Sequence, residues 1–182
     1  AFVKCINNPG TVKKITDEES IWLSGMMEQF LANRGEVKQT VDTEALKRVG
    51  IWAHRGCSMM NPENTLLAFK KAAELEGITG IEFDVQLTKD GVMVIHHDYD
   101  LKRTCGVNKK IQDLTYRELC RYRLMGTKER IPRFIEVLRE IDGKVPLLIE
   151  LKMETCNRKL CKKVAKVLDR YRGLYCIECF HP

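Results

Sequence analysis

Two acids stand two residues apart in the run Ile81, Glu82, Phe83, Asp84, Val85, and an acid and a lysine do the same in Ile149, Glu150, Leu151, Lys152. Alternate residues of an extended chain share a face, so each run sends its charged pair one way and its apolar neighbours the other. Three carboxylates and one ammonium group therefore project toward a common interior. Burying like charges together is costly unless something positive lies among them. Oxygen donors, with no cysteine in the set and no well-spaced histidine pair, suit a hard divalent ion, Mg2+ or Ca2+, better than zinc. A buried salt-bridge network centred on Lys152 is an equally good reading of these four residues taken alone.

Two histidines shift that balance toward catalysis. His54 ends an apolar run and is followed by Arg55 and Gly56, while His97 ends another and is followed by Asp98. Imidazoles with reference pKa values near 6.5 serve as general base and general acid around neutral pH. The charges also suggest a substrate: three carboxylates against a divalent ion, Arg55 and Lys152 leave a surplus that suits one anionic group such as a phosphodiester. Metal and cations would neutralise charge on the phosphoryl oxygens, and the imidazoles would move the protons.

These residues fall where strands hand over to helices. Alternation of apolar runs predicts strands over 49–53, 80–87, 92–96, 145–151 and 174–180, and helices over 63–76, 132–141 and 156–171. Asn61 is expected to cap the first of these helices, with Pro62 in its first position. Lys89, Asp90 and Gly91 make a tight turn. Residues 99–130 are longer and more polar than an ordinary connection, with an amphipathic stretch over 115–124, and read as a small insertion on the ligand side of the sheet. Residues 1–48 read as a mostly helical N-terminal extension, its helix running from about 17 to 33 with Gly35 as the stop. Repeated strand–helix units imply a parallel α/β sheet. A doubly wound sheet would want a glycine-rich loop after its first strand, and residues 54–63 hold only Gly56, so a barrel with polar residues at its strand ends fits better.

Bulk properties narrow the class. A length of 182 residues with 44% apolar content supports one main domain with a normal core. The formal charge of +6 is spread over helical faces without interleaved aromatics, which argues against a nucleic-acid binder. Eight irregularly spaced cysteines are expected to be reduced and structural. No run of about twenty apolar residues and no signal-peptide core is present, so no membrane span is expected and the chain reads as cytoplasmic.

The motifs together resemble the glycerophosphodiester phosphodiesterase family. The likeness is carried by HRG at 54–56, PENT at 62–65, EFDVQLTKDG at 82–91, HD at 97–98, IP at 131–132 and IELK at 149–152. It extends from about residue 50 to the end of the chain. The resemblance implies a TIM barrel with an insertion after its third strand, hydrolysing glycerophosphodiesters to sn-glycerol 3-phosphate and an alcohol, with a hydroxyl of the substrate's own glycerol attacking phosphorus to give a cyclic phosphate that water then opens. It places the catalytic pair on His54 and His97, the metal ligands on Glu82, Asp84 and Glu150, and the phosphate-binding cations on Arg55 and Lys152. Glu63 is expected at the helix start, supporting the site, with direct contact to the metal as the alternative. A closed barrel of this type needs eight strands. Five are visible, so the barrel reads as truncated after the fifth strand, with open edges able to pair with other chains. Two alternatives stand beside the leading one: phospholipase-like hydrolysis of lysolipid phosphodiesters, and an inactive truncated barrel acting as a binding module.

Overall fold

A computed structural model describes residues 4–6, 12–14, 50–153 and 157–180. Two short strands, β1 (Lys4–Ile6) and β2 (Val12–Lys14), pair with each other. The strand β3 (Trp52–His54) leads into helix α1 (Leu66–Glu74), which buries Ala68, Phe69 and Ala72. Next come β4 (Gly80–Leu87) and β5 (Met93–Ile95). The segment that follows holds β6 (Asp100–Leu101), α2 (Lys102–Cys105), β7 (Val107–Lys110) and α3 (Tyr116–Leu119). The chain then alternates again through α4 (Phe134–Ile141), β8 (Leu147–Leu151), α5 (Arg158–Leu168) and β9 (Tyr175–Glu178).

Four strands run parallel in the order β3, β4, β8, β9, joined by helices, which is the pairing that strand–helix repeats demand. On the outer side of β9 lies β1, antiparallel. The apolar residues of β4 and β8, Ile81, Phe83, Val85, Leu147 and Ile149, are fully buried and pack with Phe69 of α1 and with Phe134, Val137 and Ile141 of α4. Phe83 stacks edge-on to Phe69, with ring centroids 5.5 Å apart. A separate small core of Val94, Leu101, Ile111, Leu114, Leu119, Leu124 and Ile131 holds the segment after β5 together.

The structure corrects the reading of the third predicted strand. It is β5, and it pairs antiparallel with β4 through Val85–Ile95, Gln86–Val94 and Leu87–Met93. The turn at 89–91 closes that hairpin: Gly91 takes a φ of 75° and its N–H meets the Thr88 carbonyl at 2.8 Å. A three-residue reversal ending in a left-handed glycine returns the chain against the strand it has just left, and a parallel partner would need a crossover. The parallel sheet thus contains four strands.

The first helix also starts later than expected. Thr65, not Asn61, is the cap, its hydroxyl accepting from the Ala68 N–H at 3.1 Å. Asn61 instead donates to the Cys57 carbonyl, and Asn64 stands at a φ of 57°, which no helix accommodates. The helix expected over 17–33 lies outside the described residues, and β1 and β2 are the described parts of that N-terminal region. Among the described residues no helix is long and apolar enough to cross a membrane.

Candidate active site

The carboxyl ends of the parallel strands gather the singled-out residues. Parallel pairing sets Asp84 of β4 level with Glu150 of β8, and His54 of β3 level with Glu82. Glu82, Asp84 and Glu150 are all buried, and each offers an oxygen within 4.8 Å of the others. Among the described residues they form the one cluster of three or more His, Cys, Asp or Glu side chains able to share an ion.

The donor set can be tested against a cation. Asp84 is fully buried, and its Oδ2 accepts from the Asn64 amide at 2.9 Å while its Oδ1 has no hydrogen-bond partner. A buried carboxylate oxygen without a donor is costly, and a cation is the group that would satisfy it. Lys152 lies too far to do so fully: its Nζ is 2.8 Å from Glu150 Oε1 but 3.7 Å from Asp84 Oδ1. Burial, with Asp84 beside it, pushes the Glu82 carboxyl up to about 8, against the pull of the Arg55 backbone N–H that donates to it at 3.0 Å. Burial likewise raises Glu150, and the Lys152 ammonium only partly offsets it. The cluster is therefore short of positive charge, which a hard divalent ion on three carboxylates would supply. Lys152 itself is held charged, Glu150 and Asp84 outweighing the cost of burial.

Arg55 reaches the site through a strained turn. Its φ is 57° and that of Gly56 is 78°, and a Cβ at Gly56 would lie 2.8 Å from the backbone carbon of Ala68. A left-handed, non-glycine residue costs about 1–3 kcal/mol. Here it turns the guanidinium inward, with Nη1 bonded to Glu63 Oε1 at 3.1 Å and Nε 3.7 Å from Asp84 Oδ2.

The two histidines differ in support. His54 is two-thirds exposed, its Nε2 3.7 Å from Glu82 Oε2. Burial, the adjacent Arg55 and, more weakly, the nearby His97 lower its pKa, with Asp84 pulling the other way. His97 sets its Nδ1 2.7 Å from Asp98 Oδ1. His96 faces away from the cluster: it is buried, bonded to the Asp98 carbonyl and to Thr104 Oγ1, and burial lowers its pKa.

Four contributors escaped the sequence reading. Gln86 Nε2 donates to the carbonyls of His96, His97 and Asp98 at 2.7, 3.2 and 2.8 Å, clamping the backbone that presents His97. It continues the alternation of Glu82 and Asp84, a signal that stood in the sequence. Asn64, which holds Asp84, reads in the sequence only as part of the helix over 63–76. Glu178 lies level with Glu150 on the neighbouring strand and brings a fourth carboxyl to the same face, its pKa raised by burial. Arg103, from the segment after β5, binds both Glu63 and Asp98.

Parallel strands with intervening helices, and functional side chains at their carboxyl ends, make up the wall of a TIM-type barrel. Solved structures agree. The glycerophosphodiester phosphodiesterase of Thermotoga maritima matches with a TM-score of 0.61 at 35% identity, over 72% of this chain and 54% of that one. A phosphodiesterase from Oleispira antarctica, in complex with the product sn-glycerol-3-phosphate, matches with a TM-score of 0.62 at 31% identity, over 68% of this chain and 53% of that one. Residues 54–177 match the glycerophosphoryl diester phosphodiesterase family, and the chain belongs to it. Relatives include a lysophospholipase D of Homo sapiens, 37% identical over 65% of this chain and 40% of that protein. Another is the glycerophosphodiester phosphodiesterase of Caldanaerobacter subterraneus, 42% identical over 57% of this chain and 44% of that protein. The chain thus spans less than half the length of these two relatives.

Proposed function

We propose that this chain carries the catalytic half of a metal-dependent glycerophosphodiester phosphodiesterase, releasing sn-glycerol 3-phosphate and an alcohol. Its four parallel strands then correspond to the first half of an eight-stranded barrel. The observation that carries the reading is the gathering of Glu82, Asp84 and Glu150 around an Asp84 oxygen that accepts no hydrogen bond, with Arg55 and Lys152 on the same rim as His54 and His97.

In this reading Glu82, Asp84 and Glu150 hold Mg2+ or Ca2+, which would neutralise charge developing on the phosphoryl oxygens. Arg55 and Lys152 bind the phosphodiester and orient it. Since the Asp98 carboxylate accepts from His97 Nδ1, the Nε2 of His97 is left to accept or deliver a proton at the substrate. His54, exposed and held toward its neutral form, is suited to take the proton of the attacking hydroxyl. The alcohol oxygen then leaves with a proton from the opposite imidazole, giving a cyclic glycerol phosphate that water opens to sn-glycerol 3-phosphate.

The test is release of glycerol 3-phosphate from glycerophosphocholine by the purified chain, with Mg2+ or Ca2+ and after chelation, beside His54→Ala and Glu82→Ala. Turnover that needs the ion and is lost in both variants supports the reading. No turnover from a folded chain that binds the ion would instead favour a binding module. The human relative favours a second reading, a lysolipid substrate. Release of choline from lysophosphatidylcholine, faster than turnover of glycerophosphocholine, would select it.

A further inference from the structure

Arg103 ties together groups from three separate segments. Its Nη1 and Nη2 donate to the two oxygens of Glu63 at 2.8 and 2.7 Å, and its Nε and Nη2 donate to the two oxygens of Asp98 at 2.7 and 3.1 Å. Glu63 also accepts from Arg55, and Asp98 also accepts from His97. One hydrogen-bonded chain therefore runs Arg55, Glu63, Arg103, Asp98, His97, with Arg103 at its centre.

This arrangement differs from an ordinary surface ion pair, which contributes little. Glu63 and Asp98 are only 14% and 23% exposed, and a planar guanidinium serving two carboxylates through both edges leaves each few other orientations. Burial pushes the Asp98 carboxyl up, but bonds from Arg103 and His97 outweigh it and bring it to about 2. An ionised carboxylate is acceptor-only, so the proton between it and the imidazole sits on His97 Nδ1. Glu63 is likewise held ionised, first by its bond from Arg103.

We propose that Arg103 is a positioning residue for the phosphodiesterase reaction: it locks Asp98 so that His97 keeps its proton on Nδ1 and offers Nε2 to the substrate, and through Glu63 it aims Arg55. The proposal rests on reading His97 and Arg55 as parts of the active site. A residue that merely fastened α2 to the sheet would act differently. That fastening has its own reporter, the buried contact of Thr104 Oγ1 with His96 Nε2 at 2.9 Å.

The experiment pairs 15N spectra of the imidazoles in the full chain with kinetics on glycerophosphocholine and Mg2+. In the parent chain His97 is expected as one tautomer, with the proton on Nδ1. Arg103→Gln is expected to leave the His96 signals in place, mix the His97 tautomers and lower kcat by about 10- to 100-fold, more than it raises KM. Arg103→Lys, which keeps the charge and loses the fork, is expected to restore only part of this. In a Glu63→Gln, Asp98→Asn background, where both routes from Arg103 are already cut, Arg103→Gln is expected to cost less than about twofold further. A single His97 tautomer in Arg103→Gln would overturn the proposal, as would losses that multiply when Arg103→Gln is added to that background. So would loss of the His96 signals along with those of His97, unless Arg103→Lys keeps the former and disturbs the latter. If the parent chain shows no turnover, the function proposed above fails for it, while the tautomer comparison still decides the role of Arg103.

Discussion

Glu82 reports on the cation more directly than any other residue of the site. Its carboxyl moves from an ordinary 4.5 to about 8 in the folded chain without an ion, first through burial and then through Asp84. Between those values the folded chain holds a proton that the unfolded chain has released, so the stabilisation is complete below about 4.5 and is lost as pH rises toward 8. The chelated chain is therefore expected to melt at falling temperature from about pH 5 to pH 8. Saturating Mg2+ or Ca2+ should raise the melting temperature most at the upper end, because the ion displaces that proton. Thermal scans across this range, with and without the ion, check it; identical profiles would remove the metal site from the reading.

At the level of elements, two contacts position the site without touching it. Thr65 caps α1 immediately after Asn64 has turned back to hold Asp84, so helix start and carboxylate support are set at one place. Thr65→Ala is expected to cost about 1 kcal/mol in urea denaturation. Gly80 opens β4 beneath Trp52, where a Cβ would lie 2.3 Å from the indole ring and 2.7 Å from the Pro146 carbonyl oxygen. The Pro146 carbonyl accepts from Ile81 and does not yield without disturbing the sheet, and the Trp52 ring would have to swing aside. Gly80→Ala is expected to destabilise by about 1–3 kcal/mol in the same measurement. A neutral result would mean that β3 is loosely held against β4.

Across the whole molecule, the sheet ends at β3, and among the described residues no strand lies on its outer side. Ile51 and Trp52 are 53% and 40% exposed there. An unpaired edge with apolar side chains is a template for pairing with another chain, and a lysine at such an edge opposes it. Sedimentation velocity over a concentration series is expected to show self-association of the chain that Ile51→Lys reduces. A monomer at all concentrations would contradict this.

Period-two alternation alone placed Glu82 and Asp84 on one face of a strand and Glu150 and Lys152 on one face of another. The bounds of β4 were legible for the same reason, since Gly80 and the turn at 89–91 punctuate an unbroken alternation. Local chemistry also determined that a His-Arg pair sits where a strand ends. What the sequence could not decide was pairing. The direction of β5, the level of Asp84 against Glu150 and of Glu150 against Glu178, and the meeting of Arg103 with Glu63 forty residues away all depend on strand register and on how the segment after β5 folds back. Spacing fixes which face a residue takes, because that is a property of the extended backbone. Which residue of another strand it meets is fixed by packing and hydrogen bonding between segments, and only the tertiary structure holds that information.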